Sequence, residues 1–191
     1  MTIYLFLFDG FSDWEIAYVT PEVNKSSTSN LTTISLTGEA IRSVGGLRIT
    51  PDRGIHDVDV NTVDMLILPG GDAWEQGQLD AVHNLVSDTI SRNKTVAAIC
   101  AATTFLAKNG WLKGVRHTSN AREYLTAFAP DYSGSELYED RPAISDGNII
   151  TANGTAPIEF AREIFSAAEI HTPADIEKWF NLFKHGIWQE E

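Results

Sequence analysis

Cys100, the single cysteine of the chain, follows the apolar run Thr95-Val96-Ala97-Ala98-Ile99 and precedes a stretch that reads as a helix from Ala101 to Asn109-Gly110. Alanines stand two positions away on either side, at Ala98 and Ala102. A nucleophile elbow needs this, because the strand-to-helix turn is so sharp that bulky neighbours would collide across it. The turn would also set the sulfur beside the unpaired N–H groups of a helix N-terminus, which favour a thiolate. A free cysteine in apolar surroundings also packs as a small hydrophobe. The residues around Cys100 alone allow both readings.

Two further segments could serve such a sulfur. Pro69-Gly70-Gly71 closes the apolar run before it, and glycine lets backbone N–H groups approach a ligand closely. With the N–H of Ala101, this turn could form an oxyanion hole. Glu15, early in the chain, would face the same end of the sheet. A carboxylate and a thiolate repel, so the workable state pairs a protonated Glu15 with the Cys100 thiolate. Gly-Gly after a strand also serves as a plain turn, and a lone glutamate also serves as a solvated surface residue.

These residues need elements to position them. Residues 3–8 form an apolar run ending at Asp9-Gly10, as expected of a strand buried on both faces. A helix is expected over about 13–25, and a strand over 31–37, where β-branched residues alternate. Gly45-Gly46 followed by Leu47 to Pro51 suggests a small hairpin arm. Strands follow at 63–68 and 95–99, separated by a helix of about 75–92 with Leu79, Val82, Leu85, Val86 and Ile90 at helical spacing. Later expectations are a short strand near Val115, a helix over 122–128 and a strand over 136–138. A hairpin turns at Asp146-Gly147 into 148–151, and helices close the chain at about 157–168 and 174–185.

Strands alternating with helices imply parallel βαβ units. The fold class is therefore α/β, a doubly wound, mostly parallel sheet with helices on both faces. No repeat or linker divides the chain, so one domain over 1–191 is expected, with the 174–185 helix as an addition. In such sheets ligands bind at the carboxyl ends of the strands, where Glu15, Gly70-Gly71 and Cys100 all fall.

Composition narrows the partners. The chain has 191 residues, 14 Lys plus Arg against 26 Asp plus Glu, and a net charge of −12. Such a surface repels phosphate backbones and anionic lipid, so neither nucleic acid nor a membrane is an expected partner. The first apolar stretch is too short for a signal peptide or a membrane span, and a cytoplasmic location is the default. One cysteine excludes an internal disulfide, and the five histidines show no metal-ligand spacing, so no metal is expected. Neither a Gly-Lys-Ser/Thr segment nor GxGxxG follows the first strand, so no nucleotide cofactor is expected. At the C-terminus Ile176, Trp179, Phe180 and Phe183 make a helical stripe suited to core packing or to a dimer partner.

Taken together, Ala97-Ala98-Ile99-Cys100-Ala101, Leu66-Ile67-Leu68-Pro69-Gly70-Gly71 and Gly10-Phe11-Ser12-Asp13-Trp14-Glu15 resemble the ThiJ/PfpI family. That family belongs to the class I glutamine-amidotransferase-like superfamily and includes relatives of the Parkinson-associated deglycase. The resemblance runs over nearly the whole chain, including 43–52 and 146–151. It implies a flavodoxin-like fold and a nucleophilic or oxidisable Cys100. It further implies that Glu15 hydrogen-bonds the sulfur and that Gly71 and Ala101 supply backbone N–H groups. It implies a homodimer as well.

Two departures stand out. Members described as proteases carry His directly after the cysteine, where this chain has Ala101. Many others carry His at the end of a Thr-Thr-His segment, where this chain has Thr118-Ser119-Asn120. His117 would point away from Asn120 on a strand. A cysteine-histidine triad, and with it glutamine amide transfer, is therefore not expected, and Gly70 and Asn120 are expected to line the pocket. Three functions remain: a cysteine-dependent hydrolase, amidase or lyase acting on a small molecule, a non-catalytic redox sensor or stress-response protein in which an oxidant converts Cys100, or a scaffold without activity that serves through its dimer surface.

Overall fold

The computed structural model describes residues 1–188. Residues 189–191, which the expected domain boundary includes, lie outside it. Its centre is a seven-stranded sheet in the order β5-β2-β1-β6-β7-β9-β8. The strands are β1 (Thr2–Phe6), β2 (Asn30–Ser35), β5 (Arg53–Gly54), β6 (Met65–Leu68), β7 (Thr95–Ile99), β8 (Ala143–Asp146) and β9 (Ile149–Ala152). All pairings in this sheet are parallel except β8 with β9, whose hairpin turns at Gly147 with φ +57°. The β6 and β7 runs are buried along almost their whole length, which is why they read as continuous apolar segments. The hairpin arm, β3 (Ile41–Arg42) with β4 (Arg48–Ile49), stands apart as a two-stranded ribbon.

Among the described residues six α-helices cover the sheet: α1 (Val19–Lys25), α2 (His83–Ser91), α3 (Ala102–Lys108), α4 (Arg122–Phe128), α5 (Pro157–Ala167) and α6 (Pro173–His185). The chain leaves β1 toward β2 but leaves β6 toward β7, so right-handed crossovers place their helices on opposite faces. Accordingly α1 touches α5, and α5 carries α6, while α2 and α3 pack on β7 and α4 on α3. The reversal of direction falls between β1 and β6, which fixes the switch point where such sheets bind ligands.

Several expected elements differ in detail. The helix expected at 13–25 is a single 3-10 turn, Asp13–Glu15, followed by α1. Pro21 sits in the first turn of α1, where its missing N–H costs nothing. The helix expected from about 75 begins with a 3-10 turn at Asp80–Val82, because Gly77 takes φ +70° within the preceding turns. The strand expected near Val115 does not form; only His117 bridges to Tyr138. The segment read as a strand at 136–138 is a 3-10 turn, Ser135–Leu137. The two segments meet only at that one bridge, with the His117 N–H donating to Leu137 O and the Glu139 N–H to His117 O, which is too short a ladder to make a strand.

The aromatic stripe of α6 is largely satisfied within the chain. Ile176 is buried, Trp179 meets the Phe165 ring edge-on at 4.8 Å, and Arg162 lies over Phe180 at 4.2 Å. Lys184 Nζ reaches the buried Glu159 carboxylate at 2.7 Å, tying α6 to α5. Among the described residues no helix is long and apolar enough to cross a membrane.

Candidate active site

Cys100 ends β7 with φ +59°, a left-handed conformation that non-glycine residues rarely adopt. Such a backbone costs on the order of 1–3 kcal/mol and persists only where its surroundings enforce it. Here the Cys100 N–H donates to Ala152 O at 2.9 Å, and its carbonyl accepts from Thr103 N–H at 3.1 Å and Thr103 Oγ1 at 2.6 Å. The Thr103 hydroxyl is itself paired with Ser119 Oγ. Ala98 and Ala102 are both fully buried across the turn, as the elbow requires.

Glu15, on the turn after β1, is completely buried. Its Oε2 accepts the Gly70 N–H at 2.6 Å, while Oε1 has no hydrogen-bond partner. A Cβ on Gly154 would lie 2.7 Å from Cys100 Sγ and 3.3 Å from Glu15 Oε1. One on Gly70 would lie 2.6 Å from Cys100 Cβ and 2.9 Å from Glu15 Oε2. Carboxyl and sulfur thus share a space kept open by glycines on both sides. Gly70-Gly71 is held in turn by Trp74, a core residue whose indole N–H donates to Pro69 O at 2.8 Å.

Burial raises Glu15 to about 7, against the lowering effect of the Gly70 N–H and the Cys100 thiol. Burial, then the Glu15 charge, pushes the Cys100 thiol up to about 12. This corrects the expectation of a thiolate stabilised by a helix N-terminus. The Ala101 N–H and Asn120 do favour the charged sulfur, but α3 has only seven residues, and desolvation beside a carboxylate outweighs them. Below the Glu15 pKa the pair holds two protons. Above it the remaining proton lies on sulfur, facing a carboxylate.

Asn120 does reach the sulfur, donating from Nδ2 to Sγ at 3.4 Å and accepting the Gly154 N–H on Oδ1 at 2.9 Å. An amide donates here but cannot take a proton, so it does not replace a basic imidazole. His117 is fully buried away from the sulfur. Its Nδ1–H donates to Val115 O at 2.6 Å, leaving Nε2 to accept from the Tyr132 hydroxyl. Burial holds its pKa below the ordinary value.

Trp14, Glu15, Cys100, Asn120, Gly154 and Thr155 line a cavity of about 380 Å³. Trp14 is half exposed, and its indole N–H donates to Gly154 O at 3.3 Å. Gly154 escaped the sequence reading. It belongs to Asn153-Gly154-Thr155 just past β9, the same strand-end position that drew attention to Gly70-Gly71. Thr103 also escaped it, because nothing in its local sequence sets it apart from an ordinary helix residue.

An α/β sheet with a strained cysteine at a strand end, a buried glutamate against it and glycines clearing both defines a cysteine-elbow protein of the flavodoxin-like class. Residues 1–167 match the DJ-1/PfpI family, and the chain belongs to it. It is 35% identical over 189 residues to an uncharacterized protease, YoaZ, of Bacillus subtilis (strain 168), covering 95% of this chain and 90% of that protein. It is 29% identical over 133 residues to a glutathione-independent glyoxalase of Caenorhabditis elegans, 69% of each. Among solved structures, a DJ-1 superfamily protein of Agrobacterium tumefaciens superposes with a TM-score of 0.89 at 34% identity, covering 97% of this chain and 98% of the other.

Proposed function

We propose that this chain is a cysteine-dependent enzyme of hydrolase, amidase or lyase type acting on the carbonyl-like carbon of a small molecule. The observation that carries the reading is the unpartnered Glu15 Oε1 beside Cys100, on a carboxyl raised to about 7. A base poised near neutral pH can take the thiol proton as the sulfur attacks and return it later. The Sγ–C bond forms while the S–H proton passes to Glu15, and the carbonyl electron pair moves onto oxygen. The Gly71 N–H and the Ala101 N–H, the latter already directed at the sulfur, would receive that oxyanion. As the C–X bond breaks, Glu15 protonates the leaving group. Water, deprotonated by Glu15, then releases the acyl group from sulfur. The cavity of about 380 Å³ suits a small substrate. The relatives named protease and glyoxalase fit attack at a carbonyl carbon.

The test is a panel of thioesters, amides and 2-oxoaldehydes followed by NMR with wild type, Cys100→Ala and Glu15→Gln. Turnover in wild type that both substitutions abolish is expected. Equal turnover in Cys100→Ala would sink the reading.

The same neutral-range carboxyl favours a second reading, redox sensing without turnover. A peroxide would oxidise the Cys100 thiolate to sulfenate, releasing water, and a second equivalent would give sulfinate. A protonated Glu15 could then donate to the new oxygen. With no second cysteine in the chain, no internal disulfide could follow. Mass spectrometry after peroxide would show a stable gain of two oxygens at Cys100, lost in Glu15→Leu, which can donate nothing to the new oxygen.

The proposal includes a cytoplasmic homodimer. Exposed Trp14, Val44 and Leu47 beside the site support it, and sedimentation tests it.

A further inference from the structure

Thr103 Oγ1 donates to the Cys100 carbonyl at 2.6 Å, beside the Thr103 N–H on the same oxygen at 3.1 Å. A hydroxyl has one proton to give. With that proton spent on Cys100 O, the 2.6 Å contact between Thr103 Oγ1 and Ser119 Oγ runs the other way, with Ser119 as donor. Both residues are buried, so the pair is closed to solvent. Ser119 is followed directly by Asn120, whose Nδ2 donates to Cys100 Sγ at 3.4 Å. The bonds therefore close a ring. It runs from the Cys100 carbonyl through Thr103 and Ser119 to Asn120, and from the Asn120 amide back to the sulfur of the same cysteine.

Residues 117–120 form no strand, and side chains supply much of what holds them. The Thr118 N–H donates to Thr151 Oγ1 of β9 at 2.9 Å, and the Thr118 hydroxyl donates to Arg141 O at 2.7 Å. Asn120 Oδ1 accepts the Gly154 N–H at 2.9 Å. Those three bonds tie the segment to β9 and its flanks. Among the hydrogen bonds of the described residues, the one from Ser119 alone ties it to α3, the helix that begins at the elbow. It couples the donor on the sulfur to the strained backbone that presents the sulfur.

We propose that Thr103 and Ser119 are positioning residues for the cysteine, whose paired hydroxyls hold the Asn120 amide in register with Cys100 Sγ while fixing the Cys100 carbonyl. The role rests on the reactive-cysteine reading above and deepens it. Neither hydroxyl touches the sulfur or takes its proton. The Thr103 bond to the carbonyl keeps the left-handed turn, and the Ser119 bond fixes where Asn120 meets negative charge developing on sulfur.

Iodoacetamide alkylation of Cys100 at fixed pH tests the ring, using wild type, Ser119→Ala, Thr103→Val, Asn120→Ala and the double variant Ser119→Ala with Asn120→Ala. Thr103→Val keeps the shape and loses the hydroxyl, whereas Thr103→Ser keeps the hydroxyl. The expected rates are about threefold lower for Ser119→Ala and about tenfold lower for Thr103→Val and for Asn120→Ala. Thr103→Ser should stay within about twofold of wild type. The double variant should be no slower than Asn120→Ala alone, because the donor that Ser119 positions is already gone. A purely structural role would move the melting temperature without this non-additivity. An unchanged rate in Ser119→Ala, or two losses that multiply in the double variant, overturns the proposal. Thr103→Ser as slow as Thr103→Val overturns it too. If Thr103→Val fails to fold, Ser119→Ala and the double variant decide by the same criteria. The two readings fail separately. Turnover indifferent to Cys100→Ala defeats the enzymatic reading and leaves the alkylation comparison intact, whereas alkylation indifferent to Ser119→Ala defeats only the positioning role.

Discussion

Glu15 spends one carboxyl oxygen on the Gly70 N–H, at 2.6 Å, and leaves the other buried and unpartnered on the side of Cys100. That division of labour gives the site its chemistry. The bonded oxygen fixes the carboxyl's position, and the free one makes it a proton acceptor with the Cys100 thiol and the Ser12 hydroxyl as nearby donors. A buried atom in this condition destabilises the fold unless protonated or engaged, so the arrangement trades stability for reactivity.

The trade has a sign in pH. A group whose folded pKa is raised contributes stability that is present below its unfolded value and lost as pH rises through the folded value. For Glu15 the window runs from 4.5 to about 7. Glu15→Gln should remove this loss and stabilise the protein at pH 8 by roughly 3 kcal/mol, read by urea unfolding at pH 4.5 and pH 8. A wild type no less stable at pH 8 than Glu15→Gln would refute the burial argument.

The same substitution should act on the thiol. Above neutral pH the Glu15 charge helps hold the Cys100 proton in place. Alkylation of Cys100 in Glu15→Gln at pH 8.5 should therefore be faster than in wild type, by about tenfold, while turnover falls. Slower alkylation would mean that Glu15 serves the thiolate as a protonated donor instead.

Space at the sulfur is a separate requirement. A Cβ at position 154 would stand 2.7 Å from Sγ, closer than real contacts allow. Gly154→Ala should therefore slow both alkylation and turnover by about tenfold to a hundredfold, as small misplacements at reacting atoms do. Its melting temperature should fall as well, because the added methyl must displace the Cys100 or Glu15 side chain packed against position 154.

His117 sets a second pH window of opposite sign. Its pKa is depressed by burial, so its contribution to stability is present above the unfolded value of 6.5 and lost as pH falls below it. His117→Gln should weaken the acid-side decline in melting temperature between pH 6.5 and 5 and leave Cys100 alkylation at pH 8.5 unchanged.

The junction of α5 and α6 rests on Lys184 and Glu159. Glu159 Oε2 already lacks a partner, and Lys184→Met would strip the other oxygen too. A loss of about 1–3 kcal/mol in chemical unfolding is expected. A smaller change would show that water reaches the carboxylate.

Much of this protein is legible along its chain because the physics involved is local. Continuous apolar runs at 65–68 and 95–99 can only be strands buried on both faces, and their alternation with helices dictates a parallel, doubly wound sheet. The elbow at Cys100 shows itself through Ala98 and Ala102, since steric exclusion at a sharp turn acts on near neighbours. Charge on sulfur could not be read this way. Desolvation depends on how deeply the site lies and on Glu15, which is 85 residues away in sequence and reached only when β1 and β7 sit on either side of β6. Gly154 and Thr103 were hidden for the same reason, as each gains its meaning from a neighbour on another element. Residue types and their spacing are enough to settle which elements form and where a nucleophile can stand. Protonation, open space and hydrogen-bond direction at that nucleophile arise from non-local packing, and only the folded chain decides them.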